Sequence, residues 1–258
     1  MRKSLSKYGK LTVSRVRAAD RTLSIFEAFE ATGRPLALSE IARAVGVPVS
    51  SCHALVGTLL ERGYLYSTPR RRELYPTKRL FELARSIIAR DPLLERVAAT
   101  MAELRKRTGE TLIFGKRQGD TVLYLEVLEG PHTIRYTAHP GEHKPLHSSS
   151  IGKALLATLG ENELAAWLKG RRLPALTPNT ITDAKRLEAE LRRTRERGWA
   201  MTRGENVVDV LAVAVPVRLA GETYGLAVAG PMHRMMPAHE KHAALLVQTG
   251  RRLEDEAP

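Results

Sequence analysis

The chain has 258 residues, 43% of them hydrophobic, and a formal net charge of +13; that length holds two ordinary domains and that composition belongs to a globular protein. No apolar run reaches the roughly 18 residues of a membrane span, the basic N-terminus lacks the apolar centre of a secretory signal, and a single cysteine, Cys52, excludes an intrachain disulfide framework. These features predict a cytoplasmic protein with no membrane partner.

The charge is unevenly placed. Residues 1–90 hold 17 Lys and Arg against 7 Asp and Glu, whereas the rest of the chain holds 24 against 21. A localised positive field suits a polyanion, because each neutralised phosphate releases condensed counterions. On charge alone, a solvated basic surface is the alternative.

Residues 1–15 read as a disordered basic arm. From Arg21 the apolar residues Leu23, Ile25, Phe26 and Phe29 recur at helical spacing and stop before Gly33 and Pro35. In "LALSEIARAVGVPVSSCHALVGTLLERGYL", Ser39 is the expected N-cap of a helix over residues 40–45 and Gly46 supplies a turn. Pro48 then opens a second helix that runs to about Arg62, where Gly63 caps it. Two short helices across a tight turn form a helix-turn-helix. On the second, Cys52, Leu55, Val56, Leu59 and Leu60 make the expected buried stripe, leaving Ser50, Ser51, His53, Ala54 and Gly57 on the outer face. Small side chains let a helix lie deep in a major groove, and Ser or His reaches base edges or phosphates. "YLYSTPRRRELYP" alternates like two strands about a tip of Arg70, Arg71 and Arg72, a basic wing whose charges repel one another unless an anion faces them.

Helix-turn-helix, wing and local charge together point to DNA. The candidate contacts are Arg21, Ser39, Val49, Ser50, Ser51, His53, Ala54, Arg70, Arg71 and Arg72. Residues 16–76 are the expected DNA-binding domain and 77–91 a linker helix. Residues 92–258 form the second domain, starting where Pro92 breaks one helical pattern and opens the next. There "TLIFGKRQGDTVLYLEVLEG" reads as a hairpin turning at Gly119-Asp120 and "HTIRYTAH" as a further strand. "ENELAAWLKG" and "DAKRLEAELRRTRERG" read as helices, "GWAMTRGE" as a strand, and "VLAVAVPVRLAGETYGLAVAGP" as two strands about Gly221. A last helix covers about residues 238–253. An antiparallel sheet with helices packed on it makes the class α+β.

"HSSSIGKALLA", residues 147–157, looks at first like a phosphate loop. A Walker-type loop needs Gly where His147 stands and Ser or Thr where Ala154 stands, so both requirements fail. What remains is a small-residue loop opening a helix, whose first N–H groups favour an anion or a polar small molecule. His139, His143 and His147 repeat every four residues, but Pro140, Gly141 and Pro145 break any helix there; solvated loop histidines are favoured over a zinc site, and no metal or other cofactor is expected. Cys52, on the buried stripe, reads as packing rather than as a redox switch.

Taken in order, "LSEIARAVGVPVSSCHALVGTLLERGYL", "LHSSSIGKALLATL", "NTITDAKRLEAELRRTRERGWAMTRGE", "VLAVAVPV" and "LAVAGP" resemble the IclR family of bacterial transcriptional regulators, across residues 15–255. The resemblance implies a winged helix-turn-helix, a linker helix and a GAF/PAS-like α/β effector-binding domain. It also implies homodimers or homotetramers on palindromic double-stranded operator DNA, responding to a small metabolite. Where the family reads Pro-Lys-Ser-Thr-x-x-Arg-Leu, this chain has Pro48, Val49, Ser50, Ser51, Cys52, His53, Ala54 and Leu55. Val49 and Ala54 thus replace two cations, and Arg21 with Arg70 to Arg72 is expected to supply phosphate contacts instead. The family's Glu-Glu…Gly loop becomes Gly204-Glu205 with Asp209 in place of the Gly, a residue that tolerates a left-handed backbone.

Carried over residue by residue, the pocket has Ser149, Ser150, Ile151 and Gly152 as its floor and Thr202, Val210, Ala212, Ala227 and Ala229 as its walls. Three alanines predict a roomy apolar cavity for an aromatic or branched carboxylic acid, its carboxylate at the helix N-terminus and Arg135 a candidate partner. The expected function is a ligand-responsive regulator of a catabolic operon, repressor or activator, with no catalytic residue. The alternatives are a hydrolase using a serine from 148–150 with a nearby histidine, although Lys153 has no evident partner in the sequence, and a nonspecific nucleoid-type DNA binder.

Overall fold

In a computed structural model the described residues are 16–69 and 72–255. The expected basic arm and the wing residues Arg70 and Arg71 lie outside them. The chain divides at the Glu95/Arg96 junction into two units.

In the first unit, α1 (Arg17–Thr32) turns Ile25 and Phe29 inward and stops where Gly33 takes φ 62° and donates its N–H to Phe29 O. Helix α2 (Leu38–Val45) starts before the expected Ser39, which lies inside its first turn. The reason is that Glu40 supplies the cap: its Oε2 accepts the Ala37 N–H at 2.8 Å while Oε1 holds Arg34 at 2.7 Å. Those two donors pull the Glu40 carboxyl down to about 2. Gly46, at φ 71°, turns the chain into α3 (Val49–Glu61), and the two helices meet at a 108° bend, the angle of a helix-turn-helix. Among the described residues no single helix is long and apolar enough to cross a membrane.

Strands β1 (Leu65–Ser67) and β2 (Leu74–Pro76) pair antiparallel, and Leu36 bridges to Leu74 beside them. Cys52, Val56, Leu59, Leu65 and Leu74 close this core over Ile25, Phe29 and Ile41. Burial pushes the Cys52 thiol up, as suits a packing residue. Leu60, expected in the buried stripe, is exposed at the C-terminal end of α3.

Helix α4 (Arg79–Ile88) is followed by α5 (Pro92–Thr108), which Asp91 caps by accepting the Leu93 and Leu94 N–H groups. The second unit is built on one six-stranded antiparallel sheet in the order β5-β4-β3-β8-β7-β6. Its strands are β3 (Thr111–Gln118), β4 (Thr121–Leu128), β5 (His143–Pro145), β6 (Ala200–Arg203), β7 (Val210–Leu219) and β8 (Glu222–Pro231). On β7 the period of two sends Val215 and Val217 toward α9 (Met232–Asp255), while Ala212 and Ala214 join a core with α6 (Ser150–Ala157) and α8 (Ala184–Arg197). A shorter helix, α7 (Glu161–Leu168), adds Leu164 and Trp167 to that core.

Two expectations need correction here. "HTIRYTAH" is not a strand: the Tyr136 carbonyl accepts the Thr111 hydroxyl and the Ile134 carbonyl accepts the Arg234 guanidinium, so side chains take the place of a ladder. The last helix begins at Met232, not at Ala238, and runs through Pro237. Buried Met235 and the Arg234–Glu110 ion pair, bonded twice at 2.7 and 2.9 Å, hold its first turn in place against the proline.

Candidate functional site

The first unit presents one helix face. Val49, Ser50, Ser51, His53 and Ala54 are all exposed on α3, opposite the buried Cys52, Val56 and Leu59. No acidic residue occupies the first turn of α3, so its positive helix end is uncompensated. Ser39 is exposed on α2 and Arg21 is half-buried on α1. Arg72 is exposed beside the wing, where its backbone takes φ 50°. Small polar side chains on a protruding helix, next to a hairpin, can follow a groove and donate to phosphates and base edges.

The second unit holds a cavity of about 30 Å³ between α6 and the sheet. Ser149, Ser150 and Ile151 line it from α6, and Thr202, Val210, Ala212, Ala227 and Ala229 line it from β6, β7 and β8. The helix opening is well formed: Ser149 donates its hydroxyl to Pro145 O at 2.8 Å and accepts the Gly152 N–H at 3.2 Å. Two expected residues lie elsewhere. Gly152 packs on the Leu146 backbone, with an added Cβ 2.5 Å from Leu146 Cα, so it supports the floor without lining it. Arg135 is exposed and bound to Glu129 at 2.6 Å.

The cavity is also smaller than three alanines suggest, about the volume one water takes in the liquid. Ile113, Tyr124, Tyr136, Asn206 and Val207 complete its lining and fill the room the alanines leave. Sequence reasoning missed all five. Tyr124 had a usable signal in strand alternation on β4 and in the polar handle that an aromatic wall residue brings, whereas Tyr136 sits in the irregular segment after it. Asp209 does not take a left-handed backbone; Gly204 does, at φ 67°, and the Asp209 carbonyl instead accepts the Met232 N–H at 2.7 Å.

Lys153 does have a partner. Its Nζ lies 2.6 Å from Glu205 Oε1, with both residues buried. Burial holds the Lys153 ammonium below its ordinary value and the Glu205 carboxyl above, against their mutual attraction.

The three spaced histidines go to separate partners: His143 bonds Thr121 Oγ1 at 2.8 Å, His147 Nε2 bonds Pro174 O at 3.0 Å, and His139 is exposed. Among the described residues no group of three His, Cys, Asp or Glu residues is placed to hold a metal ion. Burial lowers His147 below the ordinary imidazole value of 6.5. The unfolded chain therefore takes up this proton first, so stability is full above that pH and declines as pH falls through it. Melting curves at pH 7.5 and 5.5 are expected to show this decline, and His147→Gln to remove part of it; an unchanged slope in the variant would contradict the assignment.

Comparison with known proteins agrees with this architecture. Residues 18–69 match the model of the IclR helix-turn-helix domain, and residues 85–254 that of the bacterial transcriptional regulator IclR C-terminal domain. The chain is 35% identical over 225 residues to the HTH-type transcriptional regulator BhcR of Paracoccus denitrificans, covering 86% of this chain and 80% of that one. It is 31% identical over 202 residues to XynR of Escherichia coli, covering 78% and 80%. The fold matches the crystal structure of the Thermotoga maritima IclR with a TM-score of 0.80 at 24% identity, covering 94% and 99%. It also matches an IclR homolog from Microbacterium hydrocarbonoxydans complexed with 4-hydroxybenzoate, with a TM-score of 0.74 at 25% identity, covering 92% and 98%.

Proposed function

The chain belongs to the IclR family of bacterial transcriptional regulators, and from that premise we propose that it binds a palindromic operator as a homodimer, or a pair of homodimers, and senses a small aromatic carboxylic acid. The observation that carries the DNA half is the α3 face of Val49, Ser50, Ser51, His53 and Ala54, exposed on a helix whose opposite face, with Cys52, is core. With Val49 and Ala54 in place of cations, Arg21 and the wing arginines carry the phosphate contacts.

Helix α4 supports the assembly. None of its residues is buried, and Phe81, Leu83, Ile87 and Ile88 are exposed, an apolar stripe that a second copy would cover. Two copies then present two α3 helices to successive major-groove faces roughly 34 Å apart.

For the effector, the cavity is floored by the first residues of α6. The N–H groups of Ser150 and Ile151 have no intrahelical acceptor and favour a carboxylate, while Ile113, Ala212, Ala227 and Ala229 offer an apolar bed for a ring. The homolog holding 4-hydroxybenzoate supports the same class. A cavity of about 30 Å³ takes a ring only after its cover moves. A hydrolase has less support, since Ser148, Ser149 and Ser150 are buried and His147 is bonded to a carbonyl.

A mobility-shift assay on the protein's own upstream region, with calorimetric titration of acids, tests both halves. The expected result is a specific shift that benzoate-type acids alter, with those acids binding more tightly than glyoxylate or pyruvate. Tighter binding of the short oxoacids would overturn the effector, and a shift erased equally by competitor DNA would overturn the operator.

A further inference from the structure

We infer that Lys153 and Glu205 are a positioning pair for the cavity, fixing the base of the loop whose tip lines it through Asn206 and Val207. The inference rests on reading that cavity as the ligand site. Lys153 is 0% and Glu205 7% exposed, with Nζ and Oε1 2.6 Å apart. The pair ties two parts of the wall together from beneath. Lys153 sits on α6 with its backbone N–H on Ser149 O, and Glu205 directly precedes the lining residues Asn206 and Val207.

Two hydroxyls clamp the same point, Thr177 donating to Gly204 O and Thr180 to Glu205 O, each at 2.6 Å. The far end of the loop is held as well, by the Gly204 N–H on Val210 O at 2.8 Å and the Met232 N–H on Asp209 O at 2.7 Å. Between these anchors Val207 and Val208 are 43% and 51% exposed. The cavity has little room over the α6 floor, and the tip would widen it by giving up the long Asn206 Nδ2–Ser148 Oγ bond, 3.3 Å. A fixed base makes the tip return to one position over the floor.

Stability is a poor account of the pair. Two buried charges lose their hydration, and Glu205 Oε2 is buried with no hydrogen-bond partner among the described residues. Apolar replacements of such pairs are often neutral or stabilising. What the pair supplies is geometry: one backbone position held from a helix 52 residues away.

Hydrogen exchange on the full-length protein tests this without knowledge of the ligand. In K153M/E205L the amides of residues 204–208 should exchange about tenfold faster, with α6 protected as before and melting close to wild type. Affinity for 4-hydroxybenzoate, used as the probe acid, should fall about tenfold while DNA affinity without acid holds. Wild-type exchange rates in the double variant overturn the inference whatever acids bind. Faster exchange in a protein whose wild type binds no acid supports the positioning pair and removes the ligand reading instead. Should the double variant fail to fold, K153Q/E205Q replaces it, removing both charges together so that neither is left buried and unpaired: faster exchange over the same amides supports the inference, and an unchanged rate overturns it.

Discussion

Replacing Gly152 with alanine is expected to destabilise the second unit by about 4 kcal/mol, the upper range for a single substitution. A new methyl would stand 2.5 Å from Leu146 Cα and 2.6 Å from its carbonyl carbon. Both are backbone atoms, and no rotamer change relieves them, so α6 must leave its seat on the segment after β5. Ser149 then loses its bonds to Pro145 O and the Gly152 N–H, and the cavity floor goes with them. Thermal melting should record a drop of roughly 10 °C. Gly57→Ala is the matched control: an added Cβ there meets nothing within 4 Å in the middle of α3, and the change should stabilise by about 0.5–1 kcal/mol. Wild-type melting of G152A would show that α6 is not packed as described.

The second large effect separates folding from function. Ser51→Glu places a carboxylate in the first turn of α3, where the helix end favours it, so stability should hold or rise by about 0.5 kcal/mol. Ser51 is exposed, so no packing is lost. On a duplex the same carboxylate faces phosphates, and affinity for the operator should fall about 100-fold or more. Fluorescence anisotropy with labelled DNA at one fixed salt concentration measures this. Unchanged affinity would mean that α3 does not enter the groove.

Legibility in the sequence followed the range of the interaction that fixes each feature. The α3 stripe, the β3–β4 turn at Gly119-Asp120 and the β7–β8 turn at Ala220-Gly221 are set by neighbours a few residues apart, and periodicity with turn chemistry found them. "HTIRYTAH" has the composition of a strand, but whether it pairs depends on a free edge, and Thr111 and Arg234 bind its carbonyls instead. Pro237 misplaced the start of α9 because the Glu110–Arg234 pair that overrides it joins residues 124 positions apart.

The candidate cavity divides the same way. Motif order placed Ser149, Thr202 and the alanines around one cavity, whereas Tyr124 and Tyr136, which fill it, come from segments with no shared motif. Arg135 was named for its charge, and Glu129, six residues away, holds it. Lys153 had a readable signal. A lysine amid "IGKALLA" on a helix with every residue buried needs a buried anion, and Glu205 is that anion.

Hydroxyl-radical footprinting of the upstream region most directly tests α3 as a paired major-groove reader. The expected pattern is two protected segments related by twofold symmetry, centred about one helical turn, roughly 34 Å, apart or a multiple of it, and absent with S51E. Uniform protection without symmetry, or a footprint that S51E leaves intact, would contradict it.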